Sequence, residues 1–431
     1  MASSPRIEPS ESGVVPPVGY RVIRRIAAAL HHRDFRVLWF GACTSSIGTW
    51  MQSLAENWLV LTLTSSAFFL GLDSFLQQLP IMLFTLIGGV FADRHDRRRT
   101  LLGSQYIQMF TATMLAMLVF SGVIQVWHIL ALSFITGCAQ AFGGPAYQSL
   151  IPSLVGREDI TNAIALNSIQ FNIARVIGPL LAGATLAAFK SRGMSEPSAM
   201  AACFGLNGLS FLVVIVALLS LHVKHVPGTR TQSMLHELKI GLSYVRREKT
   251  IFALIVLSGV TTFLGFPLLT LLPLFARNVF GEGIEGYSAL MAFSGAGAIA
   301  GALVVAWLGR FRHMGLVSLL VMTLFGALIA AFAVSRVLWL SDVLLFLTGA
   351  GLMIVFSTLT SLVQMIAPDE MRGRVMSIYL VAFRGGMPLG SLVSGYLASI
   401  LSPPLVLGTS GVLLSLVGLA YLARGHNIRQ I

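Results

Sequence analysis

Twelve apolar runs, each about 20 residues or longer, leave this chain few ways to fold. They fall at roughly 37–64, 67–92, 100–121, 127–151, 162–189 and 198–221. After a polar gap they continue at 251–276, 286–309, 315–335, 338–366, 372–400 and 404–423. Runs of this length cross a bilayer as helices, because a helix satisfies its own backbone groups where no water can. With 55% hydrophobic and 11% charged residues, the chain is too apolar for an ordinary soluble protein. The expected fold class is an all-α polytopic membrane protein, with twelve transmembrane helices in two pseudo-symmetric six-helix bundles. The expected plan is a tail and interfacial basic helix at 1–36, a first bundle at 37–221, a linker with an amphipathic helix at 222–250, a second bundle at 251–423 and a tail at 424–431.

A net charge of +12 suggests nucleic acid only until the basic residues are placed, since they lie between apolar runs rather than on one soluble face. With the N-terminus in the cytoplasm, 23 of the 29 Lys and Arg residues fall on the inner side and four on the outer. The positive-inside rule therefore puts both termini and the 222–250 linker in the cytoplasm. The first twenty residues lack the apolar core of a signal peptide and are expected to form a disordered tail. Val22, Ile23, Ile26, Ala27 and Leu30 give the 21–36 segment an apolar side suited to the headgroup layer. In the linker, Met234, Leu235, Leu238, Leu242 and Val245 recur at helical spacing before Arg246, Arg247 and Lys249. A surface helix along the inner leaflet is expected there. Cys43, Cys138 and Cys203 sit in apolar runs without metal-ligand spacing, so no metal site and no disulfide framework is expected. Phosphate-binding loops, zinc-hydrolase motifs and nucleophile elbows do not occur, so neither an enzyme nor a cofactor is expected.

The halves repeat at an offset of 212 residues: Glu158 aligns with Glu370, Gly178 with Gly390 and Gly183 with Gly395. Duplicated bundles with a site between them are the architecture of a secondary transporter.

Span two runs through Gly88 and Gly89 into Asp93, Arg94, Asp96, Arg97, Arg98 and Arg99. The pattern Gly89-x-x-x-Asp93-Arg94-x-Asp96-Arg97-Arg98 resembles the loop between spans two and three of the major facilitator superfamily, with Asp96 where glycine is commonest. The stretch from Pro152 to Gly183 resembles the branch holding the enterobactin exporter and macrolide-efflux proteins. Gly178-Pro179-x-x-x-Gly183 is similar to the span-five motif of drug:proton antiporters, without its longer upstream glycine run. Asp93 is expected to face the start of span eleven as a conformational latch, favoured by the helix dipole and by Arg372 or Arg374. The competing role for this cluster is topology alone, but the acids contribute nothing to the positive-inside rule. The second half carries Val305 where Asp93 stands, so any latch is one-sided.

Charges inside hydrocarbon cost about 2.5 to 3.5 kcal/mol each on insertion scales, so each needs a reason. Glu56 ends a stripe of Ser45, Thr49, Gln52 and Glu56 on one face of span one, which should line water or substrate. Asp73 lies nearer the outer end of span two, where a headgroup contact competes with a functional role. No histidine is placed at mid-membrane, so Glu56, then Asp73, are the proton-coupling candidates. Arg175 and Arg384 sit near the middle of spans five and eleven, either as anion contacts in a cavity or in an ion pair such as Arg175 with Glu56. Gln52, Asn172 and Tyr379 join them as cavity candidates. Gly178 and Pro179 should bend span five.

The resemblance implies a secondary transporter exporting a drug-like compound or siderophore across the bacterial cytoplasmic membrane in exchange for protons. Its partners would be a small-molecule substrate, protons and membrane lipids, with no nucleic acid and no obligate protein partner. Two alternatives stay open: a lysophospholipid or nutrient carrier without proton exchange, and a transport-inactive membrane sensor.

Overall fold

The computed structural model describes residues 28–222, 234–309 and 311–430. The N-terminal tail and residues 21–27 of the 21–36 segment lie outside them. Six long helices make the first half: α1 (Arg33–Thr64), α2 (Ala67–Arg94), α3 (Arg97–Phe120), α4 (Val126–Leu150), α5 (Ile160–Lys190) and α6 (Glu196–Leu219). A short helix, α7 (Met234–Arg247), leads into the second half. There α8 (Lys249–Gly265) and α9 (Pro267–Asn278) form one broken span, followed by α10 (Ile284–Leu308), α11 (Met314–Val334), α12 (Leu338–Ile366), α13 (Arg372–Ile400) and α14 (Pro403–Arg424). A last turn, α15 (His426–Arg429), ends the chain.

Helix bounds follow the apolar runs to within a few residues. Ten of these spans are both long and apolar enough to cross a membrane. α1 and α3 have the length but are more polar, for a physical reason that lies inside the bundle. Ser104 and Thr111 of α3 turn toward α4, where Ser104 donates to the Ala139 carbonyl (2.8 Å) and Thr111 meets Thr136 (2.9 Å). The break between α8 and α9 is at Phe266, where Pro267 has no N–H to continue the first helix. Span five behaves differently: α5 runs on as helix through Pro179.

The sequence repeat reappears as a packing repeat. A Cβ on Gly178 would meet Trp50 of α1 at 2.5 Å, and one on Gly390 would meet the Phe263 carbonyl of α8 at 2.2 Å. Spans five and eleven thus press on spans one and seven through equivalent glycines. Five residues on, Gly183 faces Ser288 of α10, and Gly395 faces Gly71 of α2, so each of these helices also touches the other half. Small residues permit this close approach, which in lipid supplies the packing that water-driven burial would supply elsewhere.

Contacts between halves gather on the side of the molecule where α1 ends, called here the far side. Asn57 donates to the Tyr287 hydroxyl (3.3 Å), Ser74 to Ser391 (3.2 Å), Arg277 to the Leu61 carbonyl (3.2 Å) and Ser288 to the Pro179 carbonyl (2.6 Å). Trp58 stacks on Tyr287, and Lys190 pairs with Glu285 at 3.8 Å. The far side is closed. A cleft of about 540 Å³ opens instead at the near-side end of the second half, lined by residues including Val305, Ser361, Gln364 and Arg372.

α7 is helical as expected, though the side chains of Met234, Leu235 and Leu238 lie outside the described residues. Gly241 and Val245 turn inward, Gly241 against Arg374 and Ile378 of α13, while Lys239, Leu242, Arg246 and Arg247 stay exposed. The linker helix is therefore fastened to the start of span eleven.

Candidate functional site

Glu56 and Asp73 come together deep in the first half. α1, α2 and α4 each bring one residue to the same point, and both acids are only 4% exposed. Ser133 Oγ lies 2.6 Å from Glu56 Oε1 and 2.6 Å from Asp73 Oδ1. A serine hydroxyl has one hydrogen to give and two lone pairs to accept with. It can donate to only one carboxyl, and the second contact closes when that other carboxyl is protonated and donates to the serine oxygen. The arrangement has room for one proton shared between two acids. Two bare carboxylates this close in an apolar bundle would repel with little solvent to screen them.

A chain of amides continues from Glu56. Gln52 Nε2 donates to Glu56 Oε2 (3.1 Å), and Asn207 Nδ2 of α6 donates to Gln52 Oε1 (2.7 Å). Ser210 donates to the Asn207 carbonyl (2.7 Å), and a Cβ on Gly48 would run into both Asn207 and Ser210. Gln52 and Glu56, at the far-side end of the stripe, therefore meet α6 and α4 inside one bundle, while Thr49 and Gln52 keep part of their surface exposed. Asp73 is likewise buried rather than reaching for headgroups. Ser133 and Asn207 were missed because a serine or asparagine in an apolar helix carries no signal until its neighbours are known.

Arg175 does not pair with Glu56. It is 9% exposed, and its guanidinium carbon stands 5.8 Å from the Trp50 ring centroid. Phe171, one turn earlier, meets the same indole edge-on at 5.9 Å. Asn172 donates to the Ser168 carbonyl (2.8 Å), while its buried Oδ1 has no partner. Tyr379 is fully buried, its hydroxyl 2.8 Å from Thr360 Oγ1 and its ring stacked on Phe383. It braces α13 against α12 and does not line an open cavity. Arg384 is exposed at the middle of α13.

The basic cluster after α2 divides into separate jobs. Asp96 is the N-cap of α3, accepting from the backbone N–H of Arg98 (2.9 Å) and Arg99 (3.2 Å). Arg97 donates to the Ser149 carbonyl at the end of α4 (3.0 Å). Arg98 donates to the Leu218 and Leu219 carbonyls (2.6 and 2.7 Å), satisfying the last turn of α6. These three residues tie the first half together at its near side. Arg372 pairs with Asp369 at 2.6 Å, and Arg374 packs beside Met371 and Gly241. The side chains of Asp93 and Arg94 lie outside the described residues. A Cβ on Gly88 would strike the Ala141 carbonyl at 2.3 Å, whereas one on Gly89 meets nothing within 4 Å among the described residues, so close packing with them needs the first glycine and not the second. Among the described residues no group of His, Cys, Asp and Glu is placed to hold a metal.

The profile of the family described as "transmembrane secretion effector" matches residues 26–427. The staphyloferrin A transporter of Staphylococcus aureus is 27% identical, over 82% of this chain and 87% of its own. Macrolide efflux protein A of Streptococcus pyogenes is 25% identical over 84% and 89%. Enterobactin exporter EntS of Citrobacter koseri is 25% identical over 90% and 91%. Among solved structures, a bacterial homolog of the human lysosomal transporter Spinster, inward-facing and occupied, superposes with a TM-score of 0.72 at 14% identity, covering 92% of this chain and 96% of that one. The nucleoside transporter NupG gives 0.65 at 15%, covering 91% and 98%. These two structures share the fold.

Proposed function

Because the chain belongs to the transmembrane secretion effector family of major facilitator transporters, we propose that it exports a small amphipathic molecule by alternating access in exchange for protons. It is a multi-pass membrane transporter and not an enzyme. The export direction and a siderophore or drug-like cargo are supported by relatives named for such compounds. With the near side in the cytoplasm of a bacterial inner membrane, the closed far side makes this the state that loads cargo from within.

The observation that supports the antiport reading is the Glu56–Ser133–Asp73 cluster, in which two acids of the first half meet one hydroxyl at 2.6 Å each and could share one proton. Releasing that proton would leave two like charges on one hydroxyl, and that strain biases the balance between inward- and outward-facing states. Ser133→Ala tests the shared hydroxyl. Gradient-driven export is expected to fall severalfold and its pH profile to shift, while efflux down a cargo gradient persists. An unchanged pH profile would remove Ser133 from the coupling site.

We also propose that Asp93 acts as a latch at the near side, against the start of α13. Asp96→Ala, which removes a helix cap, should cost about 1 kcal/mol of stability and leave export intact. Asp93→Asn should slow export without loss of stability. Thermal unfolding in detergent and vesicle assays separate the two, and normal export by Asp93→Asn would reduce the stretch to a topology signal.

A further inference from the structure

Arg175 presents an unsolved problem in the first half. A guanidinium carries five N–H donors. Among the described residues it has no hydrogen bond and no carboxylate within 4.0 Å, and its neighbour is the face of Trp50. The residue is nevertheless nine-tenths buried, at the middle of α5. Its nitrogens are nonetheless not sealed from solvent, so the guanidinium faces an opening in which an indole face replaces only part of the hydration the charge has lost. Glu56 and Asp73 do not answer it, since both are hydrogen-bonded to Ser133 and Glu56 also to Gln52.

The surroundings are those of a binding corner. Trp50 and Phe171 meet edge-on at an interplanar angle of 70°, with the guanidinium over the Trp50 ring, and Phe171 is 52% exposed, so the corner has an open side. The backbone of Arg175 abuts Gly295 of α10, which places the corner at the seam between halves. One turn away, Asn172 leaves a buried amide oxygen without a donor. In the repeat-related helix α13, Arg384 stands exposed at mid-length, again with no carboxylate within 4.0 Å among the described residues. Both mid-span charges are positive and neither has an acid beside it among the described residues, which leaves both open to an anion from outside the chain.

We propose that Arg175, against Trp50 and beside Phe171, is the contact for an anionic group of the cargo, which makes the transported molecule a carboxylate-bearing amphipathic compound rather than a cation. The inference rests on the exporter reading and narrows its cargo. It predicts recognition of charge by Arg175 and of an apolar body by the two rings.

Binding to the whole protein in nanodiscs, followed by quenching of tryptophan fluorescence, tests this with three probes of one shape: 2-naphthoate, methyl 2-naphthoate and 2-naphthylmethylammonium. The acid is expected to bind about tenfold or more tighter than the ester, the ratio given by one charge-assisted hydrogen bond. Arg175→Gln should abolish that preference and Arg175→Lys retain part of it. Equal binding of acid and ester, tighter binding of the ammonium, no binding of the acid, or an unchanged preference in Arg175→Gln would each overturn the proposal. Should Arg175→Gln not fold, the wild-type ratio and Arg175→Lys decide. Vesicle export separates the two readings: a naphthoate preference with no export of any compound sinks the exporter and keeps the site, and export without charge preference does the reverse.

Discussion

Glu56→Gln is expected to cut proton-gradient-driven export by about tenfold or more, the factor carried by a charge-assisted hydrogen bond worth about 1.5 to 3 kcal/mol. The substitution keeps shape and hydrogen bonding. A glutamine amide can still meet Ser133 on one side and Gln52 on the other, so the junction of α1, α4 and α6 should persist. What it removes is one of two carboxyls between which a proton is held. Asp73 alone then faces Ser133, and no like charge develops beside it when it ionises. Efflux down a cargo gradient, without a pH difference, should survive. Full pH-driven export by Glu56→Gln would end the case for this acid as the coupling group.

The second large effect is expected from Gly71, where α2 meets α13 on the far side. An added Cβ would lie 2.4 Å from the Ser391 carbonyl oxygen and 2.9 Å from the Gly395 α-carbon. Both neighbours are backbone, so no side chain can swing aside. Gly71→Ala must therefore part the two helices and break the Ser74–Ser391 hydrogen bond, at 3.2 Å, that helps close this end. Overpacking of this kind costs about 1 to 3 kcal/mol, enough to shift a two-state equilibrium by roughly fivefold to a hundredfold. The variant should rest with its far side open and export poorly. A single cysteine at Asn57, in a background without Cys43, Cys138 and Cys203, should react about tenfold faster with an impermeant thiol reagent added from that side. Gly89→Ala, with empty space around its Cβ, is the matched control. Wild-type labelling and wild-type export by Gly71→Ala would show that the seam does not hold the far side shut.

Why the acids were legible singly but not as a pair follows from what periodicity reports. A carboxylate in an apolar run stands out because its cost is local and large, so Glu56 and Asp73 were both marked. Their meeting depends on α2 and α4 lying side by side, and Ser133 is 77 residues from Glu56 and 60 from Asp73. Nothing within a single helix encodes that adjacency. The polar stripe on α1 shows the same limit in reverse: its spacing places four polar residues on one face, but whether that face meets water or another helix is a property of the bundle.

The sequence by itself determined the membrane class, the position of the long helices, the internal repeat and the identity of the costly charges. Each follows from local hydropathy or from a fixed offset along the chain. Only the tertiary structure decided which charges have partners. It gave Glu56 to Asp73 through one hydroxyl, sent Arg97 and Arg98 to the ends of α4 and α6, and left Arg175 against an indole with no acid beside it. The reason is that an ion's fate in an apolar bundle depends on atoms within a few ångströms, and those come from helices far apart in the chain.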